Sequence, residues 1–399
     1  MSAVPDLWPQ IRLHTLAWLV QHSRRERFLE DLLARMSEHL VLDGIPIARS
    51  TLQLRTLHPQ FAGARLLWRP GMTRAEVQLF EHEALALPAF RHSPVRALFE
   101  GAEAIRQRLD IPAPVPAEFP IYAELRAEGM TDYLAMPMTF TDGTRHAVTW
   151  ATRRAGGFSG EDIRALAELL PILAMAVEIR LNRRIARTLL DTYVGRHAGE
   201  RILAGEIRRG SGTTVRAAIW QCDLRGFTGF AEREPRDAVI DLLNRFFEAA
   251  ATPIEAKGGE ILKFMGDGVL AIFPLEEDAA CARALEAAIE ARRAMRSLNR
   301  RRHEAGREAL RFGLALHVGD VMYGNIGTAT RLDFTVIGPA VNVAARLHEL
   351  AKELDREVLL SAGFAALCSC AAGWFEPLGR FPLRGVSEPV DVFALAEVV

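Results

Sequence analysis

Residues 260–273 read EILKFMGDGVLAIF, two short apolar runs that meet at Gly266-Asp267-Gly268, with Lys263 set among the apolar residues of the first. Apolar runs of this length, joined at closely spaced glycines, predict a β-hairpin with a tight loop. Packing alone does not ask for a carboxylate at such a tip or an ammonium inside such a strand. Both groups are therefore candidates for chemistry.

Upstream, VRAAIWQCDLRGFT (215–228) alternates like a strand, stops at Asp223 and passes through Gly226 into a helix beginning near Thr228. Helical spacing is found at about 228–232 and 236–257, and Gly258-Gly259 returns the chain to the hairpin. The unit is β-α-α-β-β. If its first strand and the hairpin are neighbours in one sheet, Asp223 and Asp267 converge although they are 44 positions apart. Taken singly, Asp223 reads equally as a helix N-cap and Asp267 as a turn residue. As a converging pair they suit a hard divalent cation, which takes oxygen ligands and keeps coordination open for phosphate oxygens.

Downstream, RLDFTVIGPAVNVAARLHEL (331–350) reads as a strand, the break Gly338-Pro339, and a helix. Val341, Ala344, Ala345 and Leu347 form its apolar side, while Asn342 and Arg346, four apart, share another face. A planar guanidinium suits a phosphoryl transition state, and a solvated surface pair is the plainer alternative.

The rest of the chain sets the frame. At 399 residues it is too long for one ordinary core, so two folded units and a connector are expected. With 49 Lys+Arg against 50 Asp+Glu, the formal charge of −1 gives no global reason to expect nucleic acid or an anionic membrane as a partner. Cys222, Cys281, Cys368 and Cys370 include no C-x-x-C pair, so neither a disulfide framework nor a zinc ribbon is suggested, and a cytoplasmic location with reduced thiols is the expectation. The first twenty residues lack signal-peptide character, and the most apolar helical stretch, Ala165 to Leu181, is interrupted by Glu168, Pro171 and Glu178, so no membrane span is predicted.

In the N-terminal part, helical spacing over about 5–42 (Phe28, Leu32, Leu33, Met36, Leu40) ends at Asp43-Gly44. Strands are predicted within 47–58 and 64–70, a mixed helical stretch to about 128, and a hairpin around Thr141-Asp142-Gly143-Thr144. A helix capped by Ser159, with Asp162 three residues on, follows and is expected to kink at Pro171. The Gly- and Arg-rich segment 195–214 reads as a hinge. The expected division is an α+β unit over 1–182, a helical linker over 183–214, and a second α+β unit over 215–399. His58, His82, His92 and His146 show no metal-ligand spacing.

CDLRGFT, ILKFMGDGVLAIF, LHVGDVMYGNIG and DFTVIGPAVNVAARL, in this order, resemble the class III adenylyl/guanylyl cyclase catalytic domain, a ferredoxin-like palm core, over about 215–398. The resemblance implies that Asp223 and Asp267, with the Leu224 carbonyl, bind two Mg²⁺ or Mn²⁺ ions. Gly226, Phe227 and Thr228 would receive the triphosphate at a helix start, where free backbone N–H groups favour anions. Arg311 matches a phosphate-contacting arginine and Arg384 a basic position near the terminal phosphate that is often lysine. Asn342 and Arg346 match the residues that orient the ribose and stabilise the pentavalent phosphorus.

Lys263 can donate to adenine N1, whereas guanine N1 carries a hydrogen and prefers an acidic partner. Thr335 lies where the family often has an aspartate, and its hydroxyl can accept from the adenine amino group, although β-branched residues are also ordinary strand formers. The Lys/Thr pair resembles the bacterial, often bicarbonate-responsive, adenylyl branch. The family places each site between two catalytic domains, so a head-to-tail homodimer acting on ATP is implied. Residues of about 25–180 resemble a GAF-type sensor that takes a small-molecule ligand. The rival signatures fail locally: after GGE (258–260), Ile261 and Leu262 are apolar where a diguanylate cyclase needs acidic and aromatic residues, and Gly266-x-Gly268-x-x-Ala271 leads into a strand rather than a dinucleotide-binding helix. A guanylyl cyclase and a non-catalytic dimerisation module are the alternatives; no implied metal or transition-state position is substituted, which disfavours the module.

Overall fold

The computed structural model describes residues 14–111, 119–275, 279–368 and 373–396. The chain divides into two compact units, Met1–Leu189 and Leu190–Val399.

The first unit runs α1 (His14–Gln21), α2 (Leu29–Leu42), β1 (Arg49–Arg55), β2 (Phe61–Trp68), β3 (Glu76–Glu81), α3 (Pro88–Arg91), α4 (Pro94–Phe99), β4 (Ile105–Arg108), α5 (Ile121–Ala127), β5 (Asp132–Thr139), β6 (Arg145–Thr152) and α6 (Gly160–Tyr193). Its antiparallel sheet has the order β3-β2-β1-β6-β5-β4. Alternation along the strands sends Leu52, Leu54, Leu66, Val148 and Trp150 to one face, where they are buried with α2 and α6. Tyr133, Ala135, Ala147 and Ala151 take the other face, with Leu98 of α4 and Leu125 of α5. Ser159 and Asp162 cap α6 reciprocally: the Ser159 hydroxyl accepts from Asp162 N–H at 3.1 Å and the Asp162 carboxylate accepts from Ser159 N–H at 2.7 Å.

Some expectations change here. The N-terminal helical run is split by a 3-10 turn at Ser23–Arg25, and Phe28, expected on the apolar face, is 55% exposed beneath Arg74. Residues 5–13 and Cys370 lie outside the described residues. β3 and β4 fall in and near the stretch expected as mixed helix; β3 is an edge strand exposed along most of its length, so it carries no alternation to read. α6 continues through Pro171.

The second unit runs α7 (Arg196–Leu203), β7 (Gly212–Arg225), α8 (Phe227–Arg233), α9 (Arg236–Ala256), β8 (Glu260–Met265), β9 (Gly268–Pro274), α10 (Ala280–Glu304), β10 (Arg311–Gly327), β11 (Leu332–Ile337), α11 (Pro339–Glu353), β12 (Val358–Ser361), α12 (Ala362–Leu367), β13 (Phe375–Phe381) and β14 (Val390–Leu395). The sheet order is β13-β14-β12-β10-β7-β9-β8, with β11 pairing the far part of β10. One face, including Trp220, Cys222, Phe273 and Leu316, is buried with α9 and α10. On the opposite face Ile219, Leu262, Leu270 and Tyr323 pack with Phe334, Ala344 and Ala198.

Ala198 belongs to α7, so the segment expected as a hinge contains a helix that packs on the sheet of the second unit. Buried Asn325 fastens the rest of that segment, donating to the Glu206 carbonyl at 2.8 Å, while its backbone exchanges hydrogen bonds with Gly210 and Ser211. The glycines and arginines around α7 hide its apolar stripe from a composition-based reading.

Candidate active site

The hairpin forms as its sequence requires. Met265 pairs with Gly268, which leaves Gly266 and Asp267 as a two-residue loop, and Gly266 takes φ +64°, open to glycine at little cost. A Cβ on Gly268 would stand 3.3 Å from the Cys222 carbonyl oxygen, so the hairpin lies close against β7. Asp223 of β7 pairs directly with Gly268, and Leu224 N–H reaches the Asp267 carbonyl at 3.4 Å. Asp223, on β7, is thus brought beside the loop that carries Asp267.

Their electrostatics are those of crowded carboxylates. Burial, and then the neighbouring Asp223 charge, push the Asp267 carboxyl above the usual range, while His348 and Lys352 pull it down. His348 lies on α11, fitting its ring into the space over Gly313, and brings Nε2 within 3.1 Å of Asp223 Oδ1, off the line of a hydrogen bond. Among the described residues no group of three or more His, Cys, Asp or Glu side chains is placed to hold an ion. The available donors are two carboxylates and nearby backbone carbonyls, a hard oxygen set that fits Mg²⁺ or Mn²⁺.

Lys263 owes its direction to a β-bulge. Between Ile261 and Lys263 the register against β9 slips, so that Ile261 faces Ala271 and Lys263 faces Leu270. Regular alternation would put Lys263 on the face of Ile261, toward α9 and α10. The bulge instead sends it to the face of Leu262 and Leu270, toward β11, where its Nζ is 3.7 Å from Asp333 Oδ2. Thr335 follows two residues later on β11, buried, and its hydroxyl has no hydrogen-bond partner. Lys263 therefore meets β11 at Asp333, two residues before the expected Thr335. Period-2 spacing from Thr335 was the signal for it.

On α11 the buried side comprises Ala340, Ala344, Leu347, His348, Leu350 and Ala351, while Val341 and Ala345, expected in the apolar stripe, are half-buried. Asn342 is exposed, and Arg346 is held at the surface by Glu349, 2.5 and 2.7 Å from Nη1. Arg346 is two residues from His348, about 160° around the helix. The Asn/Arg pair therefore faces away from the side of α11 that meets Asp223.

The remaining predicted residues are dispersed. Gly226, with φ +73°, precedes Phe227 and Thr228 at the start of α8. Arg311 pairs in register with Arg225, and both guanidiniums converge on the carboxylate of Asp355, whose contact with Arg225 is 2.7 Å. Asp355 has φ +53° just beyond α11, a role no spacing announced. Arg384 is exposed on the turn after β13. No helix of the described residues is long and apolar enough to cross a membrane.

Comparison with known proteins bears on this same region. Residues 212–396 match the family described as the adenylate and guanylate cyclase catalytic domain. An adenylate cyclase of Anabaena cylindrica is 28% identical over 249 residues, 60% of this chain and 47% of that protein. Adenylate cyclase 1 of Rhizobium meliloti is 28% identical over 179 residues, 44% of this chain and 27% of its own. The crystal structure of the adenylyl cyclase CyaB from P. aeruginosa aligns with 47% of this chain and 97% of its own, at 25% identity and a TM-score of 0.43. The chain spans less than half the length of these two curated relatives. Residues 212–396, within the second unit, are thus similar to a cyclase catalytic domain.

Proposed function

We propose that the protein is an adenylyl cyclase, converting ATP to 3′,5′-cyclic AMP and pyrophosphate as a homodimer regulated through its N-terminal unit. The observation that carries the reading is the placement of Asp223, which pairs with Gly268, beside the hairpin loop that carries Asp267, within the segment that matches the cyclase family.

Asp223, Asp267 and the Leu224 carbonyl are the groups that would hold Mg²⁺ or Mn²⁺. When bound, such ions polarise phosphate oxygens and stabilise the charge that develops on them. The backbone N–H groups of Gly226, Phe227 and Thr228, with Arg311, receive the triphosphate, and Arg384 lies near its end. Asn342 orients the ribose and Arg346 neutralises charge on the α-phosphate oxygens. The ribose 3′-hydroxyl gives up its proton to solvent as its oxygen forms a bond to the α-phosphorus in line, the bond from that phosphorus to the bridging oxygen breaks, and pyrophosphate leaves with the electron pair.

Two copies are invoked because Asn342 and Arg346 face away from the α11 surface that meets Asp223. Exposed Phe264, Met265, Leu332 and Ile337 surround Lys263 and Thr335 on their strands and supply apolar surface for a second copy to cover.

Lys263 as a donor to adenine N1, and the unpartnered Thr335 hydroxyl as an acceptor for the amino group, favour ATP. Asp333 beside Lys263 favours a second reading, since a carboxylate there would accept from guanine N1–H. Purified protein incubated with ATP or GTP and Mg²⁺ or Mn²⁺, followed by chromatography of the products, decides between them. Formation of cyclic GMP alone would establish the guanylyl reading, and no cyclic nucleotide at dimer-forming concentrations would end both. Lys263→Glu is expected to weaken ATP use while leaving metal affinity unchanged; equal loss of both would make Lys263 structural.

A further inference from the structure

The first unit encloses a cavity of about 950 Å³ between one face of its sheet and the short helices that cover it. Its floor carries Arg49, Thr51, Gln53 and Thr149, and its cover includes Leu85, Leu87, Phe90, Val95 and Phe99. The volume is in the range of cavities that hold drug-sized ligands, and the combination of an apolar wall with a few polar groups at one end is that of a ligand site.

The polar end is unbalanced. Arg49 is only 4% exposed, yet among the described residues its Nε has no hydrogen-bond partner and its one ion pair is a loose one, Nη2 to Glu124 Oε1 at 3.7 Å. Glu128, the other acidic group near it, is taken by Arg69 at 3.0 Å. A guanidinium so buried is ordinarily satisfied by a planar acceptor meeting its fork. Beside it Thr51 and Thr149 share a hydrogen bond of 2.8 Å and expose hydroxyl oxygens on the same floor. Burial lowers the Arg49 pKa, so an incoming anion would relieve a cost already present in the fold.

We infer that this cavity binds a small organic monocarboxylate with an apolar body, its carboxylate on the Arg49 guanidinium and its body against the Phe90, Val95 and Phe99 wall. A monoanion is favoured over a phosphate dianion because one deeply buried cation faces the partly exposed carboxylate of Glu124, which would repel a second charge. Leu181, Asn182 and Ile185 of α6 also line the cavity, and the same helix continues to Tyr193, beyond the unit's limit at Leu189. The cavity therefore borders α6, which packs on the opposite face of the sheet. This names the ligand class of the regulatory unit proposed above, but binding is measured without turnover, so its failure and that of the cyclase reading are separately visible.

The test is isothermal titration calorimetry of the full chain with octanoate and 3-phenylpropionate, each against its primary alcohol. The carboxylates are expected to bind at least about tenfold more tightly than the alcohols, the scale of a charge-assisted hydrogen bond in a buried site. Arg49→Met should bring acid and alcohol within about twofold. Glu124→Gln, at a side chain 55% exposed and outside the core, should strengthen carboxylate binding about threefold or more. Equal affinity for acid and alcohol, retention of the preference in Arg49→Met, or no binding of either carboxylate at millimolar concentration would overturn the inference. If Arg49→Met does not fold, an unchanged carboxylate affinity in Glu124→Gln overturns it alone.

Discussion

Asp267→Ala and Arg346→Ala chains, each inactive alone, should regain activity when mixed. Asp223 and the carboxylate beside it meet the buried side of α11, whereas Arg346 projects from the opposite side, about 160° away. In the proposed homodimer, a reacting phosphate held near the carboxylates of one chain would therefore take its arginine from the other. Each homodimer of a variant has two damaged sites. A mixed dimer has one site that combines the intact Asp267 of one chain with the intact Arg346 of the other, and a second site that carries both lesions.

With free exchange at equal concentrations, about half of the dimers are mixed, so roughly a quarter of all sites are intact. Loss of a group that stabilises the transition-state charge costs on the order of 10²–10³ in rate, so the mixture should exceed either variant by about two orders of magnitude. Both side chains are half-buried, Arg346 34% exposed, and neither belongs to the buried core. The assay is cyclic AMP production after the chains have been co-incubated, with native mass spectrometry counting the mixed dimers. Mixed dimers that form but turn over no faster than the separate variants would refute the two-chain site.

Asp355→Asn keeps a residue type that tolerates positive φ but removes the charge that engages Arg311 and Arg225; freed for the triphosphate, Arg311 should lower KM about threefold at unchanged kcat, whereas a raised KM would make Asp355 the group that positions it. Burial pushes His146 in the first unit and His317 in the second down to about 4, below the unfolded value near 6.5, so the unfolded chain binds more protons as the pH falls. Stability should therefore be lost from about pH 6.5 down toward 4, by about 3 kcal/mol for each histidine; thermal melts across that range should show it, and His146→Gln should blunt the loss in the first unit. Gly324→Ala would place a Cβ 2.2 Å from the Ser211 carbonyl oxygen, so it should destabilise the second unit by about 1–3 kcal/mol, read as a lower melting temperature; an unchanged melt would show that the Ser211 backbone can yield.

What could be read beforehand was what alternation and glycine placement encode. The β7 strand, the following pair of helices and the β8–β9 hairpin carry strong periodicity, and Gly266 and Gly268 mark the turn, so Asp223 and Asp267 could be placed together before any coordinates. His348 was hidden because a histidine on the apolar side of a helix has no signature apart from core packing. Asp355 follows α11 in a turn whose partners, Arg225 and Arg311, lie 130 and 44 positions away, and contacts between sheet and helix end leave no local pattern. The edge strand β3 and the cavity floor were illegible for a related reason: Arg49, Thr51 and Gln53 alternate with buried residues just as a solvated strand face would.

The bulge in β8 explains why a lysine and an aspartate so close in sequence can serve different partners. Asp267 is fixed by the loop beside β7, and no change in β8 register can move it far, because Gly268 is already packed against the Cys222 and Asp223 backbone. Lys263 is free of that constraint. The extra residue at Leu262 turns its side chain out of the α9/α10 core and toward β11, where Asp333 and the unpartnered Thr335 hydroxyl lie. Without the bulge the ammonium would be directed into an apolar layer that offers it no acceptor, at a cost of several kcal/mol. Under the proposed cyclase reading, a packing irregularity that raises no signal in the hydrophobic pattern would separate metal holding from base reading on one hairpin, and in a two-chain site it would let each hairpin contribute to two different active sites.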